Sequence, residues 1–492
     1  MPLPIALYST AQVRALDAHA IEVRGVPGYT LMKRAGEGAL RYLRTRWPMA
    51  HSIVIVCGRG NNAGDGYVLA RFASAAGLTV TVLAASPVED LKGDARQAFE
   101  DFSASGGEVH AFSAELLREG EVVVDAVLGT GLRDAVREPF AAAIRAINAC
   151  EQAVFSLDIP SGLDGDTGIA HGTAVEADST VTFVGLKTGL FIGDGPEYTG
   201  PVFFDDLEVE VPEDPRFAPR LERIAETEIG KALPRRRRSS HKGDYGRVLI
   251  VGSGQGMPGA VRLAGEACMR VGAGLVTVAV APENVVAIAA GRPELLFLPL
   301  HDVSALKDAI ERADVVAIGP GLGTSQWARD ALDQVLRCDK PLVLDADALN
   351  LMAEARTPAR GNWVLTPHPG EAGRLLGIKT DQVQQDRLSA LDALVERYGG
   401  TIVLKGAGTL VGTAGRTPGL CERGNPGMAS AGMGDVLTGA IAGILAQCRD
   451  PWLAARVGTL VHGMAGDSVA RAGDRGLLAS DVARELRTYV SL

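Results

Sequence analysis

Several features that mark other classes of protein are missing from this chain of 492 residues. Its six cysteines form no CxxC pair and no metal-ligand spacing, which argues against a disulfide framework and indicates buried thiols in a reducing compartment. The amino terminus has no apolar signal core, and glycines break the longest apolar stretches well short of the ~20 residues that cross a membrane. A net charge of −10 argues against a nucleic-acid or membrane binder. We expect a cytoplasmic homo-oligomer with small-molecule partners.

The composition favours an α/β protein. An apolar fraction of 47% with 60 glycines indicates buried parallel strands joined by tight turns, and the length exceeds one ordinary core. Residues 208–231 mix acids, prolines and arginines without a period, and four arginines follow at 235–238. This segment marks a domain boundary, so we predict two domains, 1–215 and 225–492. We interpret the arginine run as a solvated linker that can border a nucleotide site.

The first half of the chain carries a strand, a glycine-rich turn and a helix, at 53–56, 57–66 and 67–76. This order is typical of a phosphate-binding βα unit, although two asparagines and an aspartate replace the usual G-x-G-x-x-G fingerprint. These side chains can hold a ligand or a hard cation as well as the backbone can. A plain βα turn with asparagines in left-handed conformations is the alternative.

Two further strands of this half end in an acid, at Asp125 and at Asp158. Because the carboxyl ends of parallel strands face one side of a sheet, these acids should converge there with Asn62 and Ser161. A single aspartate at a strand end is most often a helix cap, but several at successive strand ends favour a binding site. Lys187 follows another apolar strand and can pair with Asp158 as acid and base, or else be a solvated lysine.

These motifs resemble the amino-terminal domain of the NAD(P)H-hydrate epimerases over residues 10–210. The resemblance is carried by the Gly-Asn-Asn-x-Gly-Asp-Gly turn, the stretch 125–131 and the Asp-Ile-Pro-Ser-Gly stretch that begins at Asp158. It implies a Rossmann-like fold and a potassium ion held by Asn62, Asp125 and Ser161. It also implies substrate contacts at Asn61, Asn62, Ala63, Gly64, Asp65, Gly129, Thr130, Gly131, Leu132, Arg133, Asp134, Ala135 and Asp158. Ala63 stands where the family usually has glycine, a small change that can tighten the loop.

The second half repeats a strand followed by a polar or glycine-rich turn. The strands are predicted at 248–251, 315–318, 342–344, 363–365 and 401–404. Such turns at one end of successive strands indicate a single active face on a mostly parallel sheet. The G-x-x-x-x-G-K-[ST] loop is missing, which argues against a P-loop fold.

The last glycine-rich turn, 425–435, ends at Asp435, where an apolar helix begins. Free N–H groups and the dipole at a helix N-terminus attract phosphate, and an aspartate there can take a proton from a hydroxyl that attacks the phosphoryl group. The turn therefore indicates phosphoryl transfer. A glycine-rich loop that caps a core helix is the alternative.

These turns resemble the ribokinase-like superfamily and, within it, the ADP-consuming NAD(P)H-hydrate dehydratases over residues 241–485. The resemblance implies AMP or ADP contacts at Lys405, Gly406, Ala407, Gly408, Thr409 and Gly434. It implies contacts to the hydrate at Ala260, Gly321, Gly323, His368 and Asp435. His368 taken alone is typical of a structural histidine. Glu371 can orient magnesium through water or serve as a helix N-terminal acid.

Together the resemblances imply a bifunctional enzyme that repairs hydrated nicotinamide nucleotides. The first domain would interconvert R and S forms of NADHX and NADPHX with K⁺ and with Asp158 and Lys187 as acid and base. The second would use ADP and Mg²⁺ to dehydrate the S form, with Asp435 as catalytic base. In the alternative, the second domain is an ATP-dependent small-molecule kinase and the first a nucleotide-binding module.

Overall fold

The computed structural model describes residues 3–132, 134–355 and 357–491. The chain divides into two compact units between Leu221 and Glu222. The predicted α/β class is confirmed, since each unit holds a sheet of mostly parallel strands that alternate with helices. The predicted domain limits, 1–215 and 225–492, stay a prediction.

The first unit contains a seven-stranded parallel sheet. Its elements are β1 Ala6–Tyr8, α1 Thr10–Glu22, α2 Gly28–Arg46, β2 Ser52–Cys57, α3 Asn61–Ala75, β3 Thr79–Ala84, α4 Gly93–Ala104, β4 Val109–Ala111, β5 Val122–Ala126, α5 Phe140–Asn148, β6 Ala153–Leu157, β7 Ser179–Phe183, β8 Leu186–Lys187, α6 Gly195–Thr199 and β9 Val202–Asp205. The strand order is β4-β3-β2-β5-β6-β7-β9. The chain winds outward from β2 to β4 and then returns to start again at β5. Open α/β sheets bind ligands at such a reversal, which here lies between β2 and β5.

The sequence of β2 explains why it lies at the centre. Ile53 and Ile55 join the core on one face of the sheet, and Val54 and Val56 join a separate core on the other face. A strand that is covered by helices on both faces needs apolar side chains at every position. Four consecutive β-branched residues meet that need.

The helix after β2 starts earlier than the sequence predicts. The prediction placed a turn at 57–66 and the helix at 67–76, but α3 already includes Asn61. The N–H groups of Ala63 and Gly64 donate to the carbonyl oxygen of Gly60 at 3.0 and 3.3 Å, so residues 61–66 of the predicted turn are helical. Gly66 serves close packing instead of a turn, because a Cβ there would lie 2.8 Å from the Cβ of Ala126. The alternative of a plain turn with left-handed asparagines is therefore wrong.

The second unit holds a larger sheet. Its elements are β10 Leu221–Arg223, α7 Thr227–Ala232, β11 Arg247–Val251, α8 Pro258–Arg270, β12 Leu275–Val280, α9 Val285–Gly291, β13 Leu296–Pro299, α10 Leu306–Arg312, β14 Val315–Ile318, α11 Gln326–Leu336, β15 Leu342–Leu344, α12 Ala346–Glu354, β16 Trp363–Leu365, α13 Pro369–Leu376, α14 Thr380–Gln385, α15 Arg387–Tyr398, β17 Thr401–Leu404, β18 Thr409–Thr413, β19 Gly419–Cys421, α16 Met433–Cys448, α17 Pro451–Ala470 and α18 Ala479–Tyr489. The strand order is β13-β12-β11-β14-β15-β16-β17-β18-β19. From β13 to β17 in this order, neighbouring strands are parallel; β18 is antiparallel to both β17 and β19, and β10 pairs with the far side of β19 in parallel. The strand order reverses between β11 and β14, so the ligand site is expected there.

Glycines let α16 pack closely on α8. A Cβ at Gly439 would lie 1.9 Å from the carbonyl oxygen of Ala264, and one at Gly443 would lie 2.6 Å from that of Cys268. The two helices can approach this closely only because both positions lack a side chain. This contact fixes α16, whose first turn carries Asp435.

The cysteines differ in part from the prediction of buried thiols. Three are buried, Cys57, Cys268 and Cys421, and three are partly exposed, Cys150, Cys338 and Cys448. The second group lies at or just beyond the ends of helices, where the chain returns to the surface. In the part of the chain that the structure describes, no helix has the length and apolar character to cross a membrane.

We predict that Gly439→Ala destabilises the second unit by about 1–3 kcal/mol, because the new methyl group must displace the backbone of Ala264. Gly230→Ala is the matched control, since a Cβ at this helical glycine meets nothing within 4 Å. It should leave stability unchanged or raise it by up to about 1 kcal/mol. Urea unfolding followed by tryptophan fluorescence measures both; equal stabilities for the two variants would contradict the packing argument.

Two candidate active sites

A buried carboxylate organises the site of the first unit. Asp125, in β5, accepts hydrogen bonds from the backbone N–H of Ser161 at 2.8 Å, from its hydroxyl at 2.5 Å and from the Ser156 hydroxyl at 2.9 Å. Burial raises the pKa of Asp125, although these hydrogen bonds oppose the rise. The predicted convergence of Asp125 and Ser161 is thus present in the structure.

Asn62 contributes an unpaired hydrogen-bond acceptor, its Oδ1 atom, to the same site. Its amide Nδ2 donates to the carbonyl oxygen of Leu128 at 3.0 Å, and Ser161 Oγ, whose proton goes to Asp125, lies 3.0 Å from the same carbonyl oxygen. The Asn62 Oδ1 atom is buried and finds no hydrogen-bond partner among the described residues. A Cβ at Gly129 would lie 3.3 Å from that of Asn62, so the loop after β5 closes over the side chain. Since buried polar atoms are almost always paired, the free Oδ1 indicates a missing ligand.

Lys187 is buried and pairs with Asp158. Its side chain is 1% exposed, and Nζ donates to Asp158 Oδ1, to the Thr182 hydroxyl at 2.9 Å and to the carbonyl oxygen of Phe183 at 3.0 Å. The alternative of a solvated lysine is therefore wrong. Asp158 has a φ of 65°, a strained conformation for a residue with a side chain. Such strain is typical of positions where the direction of a side chain matters.

Asp17, in α1, belongs to this cluster and was missed by the sequence analysis. Burial raises its pKa to about 6; Lys187 acts against this rise and Asp158 adds to it. Burial also raises the pKa of Asp65 well above its ordinary value, with further contributions from Asp158 and Asp17. Three carboxyl groups thus surround one lysine. The available signal was an acid next to Leu16 on the buried face of an amphipathic helix.

The remaining predicted substrate contacts of this unit lie on two neighbouring segments. Asn61, Ala63 and Gly64 are in the first turn of α3, directly after β2. The others follow β5 in a partly exposed loop: Thr130, Gly131, Leu132, Asp134 and Ala135. Arg133 lies outside the described residues. Both segments border the reversal of strand order between β2 and β5, but their contacts to a ligand stay predictions.

A buried ion pair organises the site of the second unit. Asp345, at the end of β15, accepts hydrogen bonds from Lys405 Nζ at 2.7 Å and from the hydroxyls of Thr366 and Thr438 at 2.8 Å each. Burial acts to raise the pKa of Asp345, but Lys405 and the hydrogen bonds outweigh it and lower the pKa. The sequence analysis noted the strand before Asp345 and gave the aspartate itself no role.

Asp435 lies beside this ion pair. Gly432 caps α16 with a φ of 89°, and Asp435 is in the first turn. A Cβ at Gly434 would lie 3.4 Å from Lys405 Nζ, which places the start of α16 against the lysine. Burial and the charge of Asp345 raise the pKa of Asp435 to about 7, against the effect of Lys405. A carboxyl group with this pKa can accept and release a proton near neutral pH.

Arg387, in α15, holds the loop that follows β17 and was also missed. It is almost fully buried, and one guanidinium nitrogen donates to the carbonyl oxygens of Leu404, Lys405 and Gly408 at 3.2 to 3.4 Å. A Cβ at Gly406 would lie 2.9 Å from this guanidinium. Burial lowers the pKa of Arg387 to about 10. The predicted nucleotide loop, Lys405 to Thr409 including Ala407, is thus shaped by a residue that lies outside every motif.

His368 acts as a helix cap. Its Nδ1 accepts hydrogen bonds from the backbone N–H groups of Gly370 at 3.0 Å and Glu371 at 3.2 Å, while Glu371 accepts one from the His368 N–H at 2.8 Å. This box starts α13, and Nε2 of His368 lies 3.4 Å from Glu371 Oε1. Glu371 also lies 3.7 Å from Lys405 Nζ, so it combines the role of a helix N-terminal acid with a place in the site.

The other predicted hydrate contacts meet at the reversal of strand order. A Cβ at Gly321 would lie 3.0 Å from the Cβ of Ala260, and the N–H of Gly323 donates to Asp347 Oδ2 at 2.8 Å. The charge of Asp347 in turn raises the pKa of Asp435. The structure therefore brings together the predicted contacts after β11, β14 and β17 with the start of α16. Among the described residues, no group of three His, Cys, Asp or Glu side chains is placed to hold a metal ion.

Comparisons with known proteins decide the family. The family model described as YjeF-related protein N-terminus matches residues 28–189, and the family model described as NAD(P)H-hydrate dehydratase matches residues 248–488. A bifunctional NAD(P)H-hydrate repair enzyme from Coxiella burnetii is 47% identical over 486 residues, which cover 99% of each chain. The chain belongs to the bifunctional NAD(P)H-hydrate repair enzymes. The enzyme of the same name from Escherichia coli is 43% identical over 495 residues and covers 99% of this chain and 95% of its own.

A solved structure supports the fold of the second unit. A ribokinase-like superfamily protein from Enterococcus faecalis matches 55% of this repair enzyme and 96% of its own chain, with 32% identity and a TM-score of 0.52. The two family resemblances inferred from the sequence motifs are confirmed by these comparisons. The roles of individual site residues stay predictions.

We predict that Lys187→Met lowers the free energy of unfolding by about 2–4 kcal/mol, because it leaves the partly buried Asp158 carboxylate without its cation. Adding Asp158→Asn should restore part of the loss, so that the double variant costs less than the two single variants summed. Lys92→Met, at an exposed position, is the control and should cost under about 0.5 kcal/mol. Urea unfolding monitored by circular dichroism gives all four values. Strictly additive losses would show that the two side chains do not depend on each other.

Proposed function

We propose that this repair enzyme acts on NAD(P)HX, the form of NADH or NADPH that is hydrated at C6 of the reduced ring. The first unit interconverts the R and S epimers. The second unit converts the S epimer to NAD(P)H with ADP as co-substrate and releases AMP and phosphate. The observation that carries the proposal is the position of Asp435 in the first turn of α16, which lies against Lys405; burial there raises the pKa of Asp435 to about 7.

In the second unit, Asp435 takes the proton of the C6 hydroxyl while the oxygen attacks the β-phosphorus of ADP. The bond from that phosphorus to the bridging oxygen breaks, and AMP leaves. Backbone N–H groups at the start of α16, together with Lys405, stabilise the charge on the phosphoryl oxygens. The C6–O bond of the phosphorylated hydrate then breaks with help from the ring-nitrogen lone pair. Loss of a C5 proton restores the double bond of NAD(P)H.

The phosphoryl step converts a poor leaving group into a good one. Lys405 to Thr409 and Gly434 would hold the nucleotide, while Ala260, Gly321, Gly323 and His368 would contact the hydrate. Magnesium would enter bound to the ADP phosphates, as this ion commonly does with few protein ligands, and would neutralise their charge.

In the first unit, Asp158 and Lys187 form the acid and base. Inversion at C6 requires a bond from C6 to a heteroatom to break and re-form. An acid must give a proton to the substrate when the bond breaks, and a base must take it back when the bond re-forms. The pair fits this exchange, since the Asp158 carboxyl accepts a hydrogen bond directly from the buried ammonium group of Lys187. Asp17 and Asp65, with raised pKa values, can store the proton.

Potassium fits the pocket of Asn62, Asp125 and Ser161. Asn62 Oδ1 is a buried oxygen without a partner among the described residues, and it lies in a pocket that also holds the buried Asp125 carboxyl. Oxygen donors of this kind suit a hard cation. The bound ion would supply positive charge for polar groups of the substrate. Operation in the cytoplasm as a homo-oligomer is also part of the proposal.

The first test is a recovery assay on the full chain. A mixture of R and S NADHX with ADP, Mg²⁺ and K⁺ should return completely to NADH, measured as the absorbance of reduced nicotinamide. Asp158→Ala should recover only the S fraction, followed by slow spontaneous epimerisation. No recovery with ADP or ATP would overturn the dehydratase assignment, and a phosphorylated product that accumulates with ATP would point to a kinase.

The second test is the pH dependence of S-NADHX dehydration. A general base with a pKa of about 7 must be deprotonated, so kcat/KM should fall about tenfold per pH unit below 7. Asp435→Asn should lower the rate by about 10² or more and remove this dependence.

Asp347→Asn is the matched control. It should keep the acid limb but move it to lower pH, because the charge of Asp347 raises the pKa of Asp435. An unchanged limb in Asp435→Asn would assign the titration to another group.

A further inference from the structure

A cavity lies in the second unit, away from Asp435. Its volume is about 820 Å³, and its walls come from the segment after α7 and from the last turns of α8, α16 and α18. Asp435 is in the first turn of α16 and Gln447, which lines the cavity, is in the last. Twelve residues of helix separate them, or roughly 18 Å at 1.5 Å per residue. The cavity is therefore distinct from the candidate dehydratase site.

The walls of this cavity are basic in an acidic protein. Five arginines and two glutamates line it, a formal excess of three positive charges against −10 for the whole chain. Two of the arginines, Arg235 and Arg236, come from the four-arginine run at 235–238, which lies within the second unit. Like charges that surround one cavity repel each other, which costs free energy unless a bound anion compensates the charge.

Internal contacts fix part of the cavity wall. Glu266 is 4% exposed at its side chain and pairs with Arg270 at 3.2 Å and with Arg292. The guanidinium of Arg236 lies 3.6 Å from the centroid of the Tyr245 ring and donates to Gln447 Oε1 at 3.0 Å and to a carbonyl oxygen at the end of α8. Carbonyl groups at a helix C-terminus attract cations, which accounts for Arg236.

Arg487 also lies in the last turn of a helix, α18, whereas Arg235 lies in the segment between α7 and β11. Arg235 and Arg487 line the cavity from exposed positions, and their side chains form no ion pair or hydrogen bond among the described residues. Arg292 shares its only carboxylate with Arg270, and its Nε is buried with no acceptor in the described part of the chain. Unpaired guanidinium groups that face a cavity are well suited to phosphate, which they bind with two parallel hydrogen bonds.

We infer that this cavity binds a small anion with two or more phosphates, of the size of a nucleotide. Its volume falls in the range of ligand pockets, and Leu233, Met269 and Val490 add apolar wall against which a base can pack. The arginines would bind the phosphate chain. The inference does not depend on the chemistry proposed for Asp435, because none of these residues belongs to that site.

The test counts binding sites on the full chain by isothermal titration calorimetry without Mg²⁺. ATP should bind the wild-type protein at two sites, and Arg235→Gln/Arg487→Gln should remove one or weaken it at least roughly tenfold. Arg484→Gln is the matched control and should keep both sites, because Arg484 lies in the same helix as Arg487 but pairs with Asp481 and does not line the cavity. Binding at the arginine-dependent site should weaken as salt is added.

Inorganic tripolyphosphate serves as the second probe. Equal affinity for tripolyphosphate and ATP at the arginine-dependent site means that only the phosphates are recognised, and tighter ATP binding means that the base contributes. The single variant Arg487→Gln, at an exposed position, guards against misfolding of the double variant. Two undiminished sites in both variants, or no second site for either probe in the wild type, would overturn the inference.

Discussion

The buried ion pair of Asp345 and Lys405 is the interaction on which the second unit depends. It joins the ends of β15 and β17, and the hydroxyls of Thr366 and Thr438 tie in β16 and α16. A buried pair is tolerable only when its remaining hydrogen-bonding capacity is met, which these two threonines do for Asp345. The charge of Asp345 also raises the pKa of Asp435. A residue that need not touch the substrate thus sets the basicity of the candidate base.

The site of the first unit also pairs a lysine with carboxyl groups, but in a different ratio. One buried lysine, Lys187, faces Asp158, Asp17 and Asp65, so one cation serves three carboxyl groups. Burial, with a smaller contribution from the charge of Asp158, raises the pKa of Asp17 to about 6, and a proton can therefore reside in the cluster near neutral pH. That property suits epimerisation, in which the proton given to the substrate must be taken back. Phosphoryl transfer needs only a net acceptor, and a single carboxylate at a helix N-terminus provides it.

The sequence predicted what depends on local pattern. Uninterrupted apolar runs located the central strands, and the strand predicted at 315–318 has the bounds of β14. Glycine misled the prediction of α3, because Gly66 serves packing against Ala126 and does not form a turn. Asp17 and Arg387 were missed because only folding brings them to motifs far away in the chain. Helical spacing indicates only that Asp17 lies beside the buried Leu16, and neither its partners nor those of Arg387 can be read from spacing.

On the proposed mechanism, the rigidity of the second site explains why a first site is needed. Gly439 lets α16 pack against the backbone of α8, and this contact fixes the direction of the Asp435 carboxylate. A base held in one direction can reach a C6 hydroxyl on one face of the ring only, so it selects one epimer. Hydration of the ring produces both epimers. A selective dehydratase alone would leave the other epimer behind, and the epimerase in the same chain returns that material to the selective site.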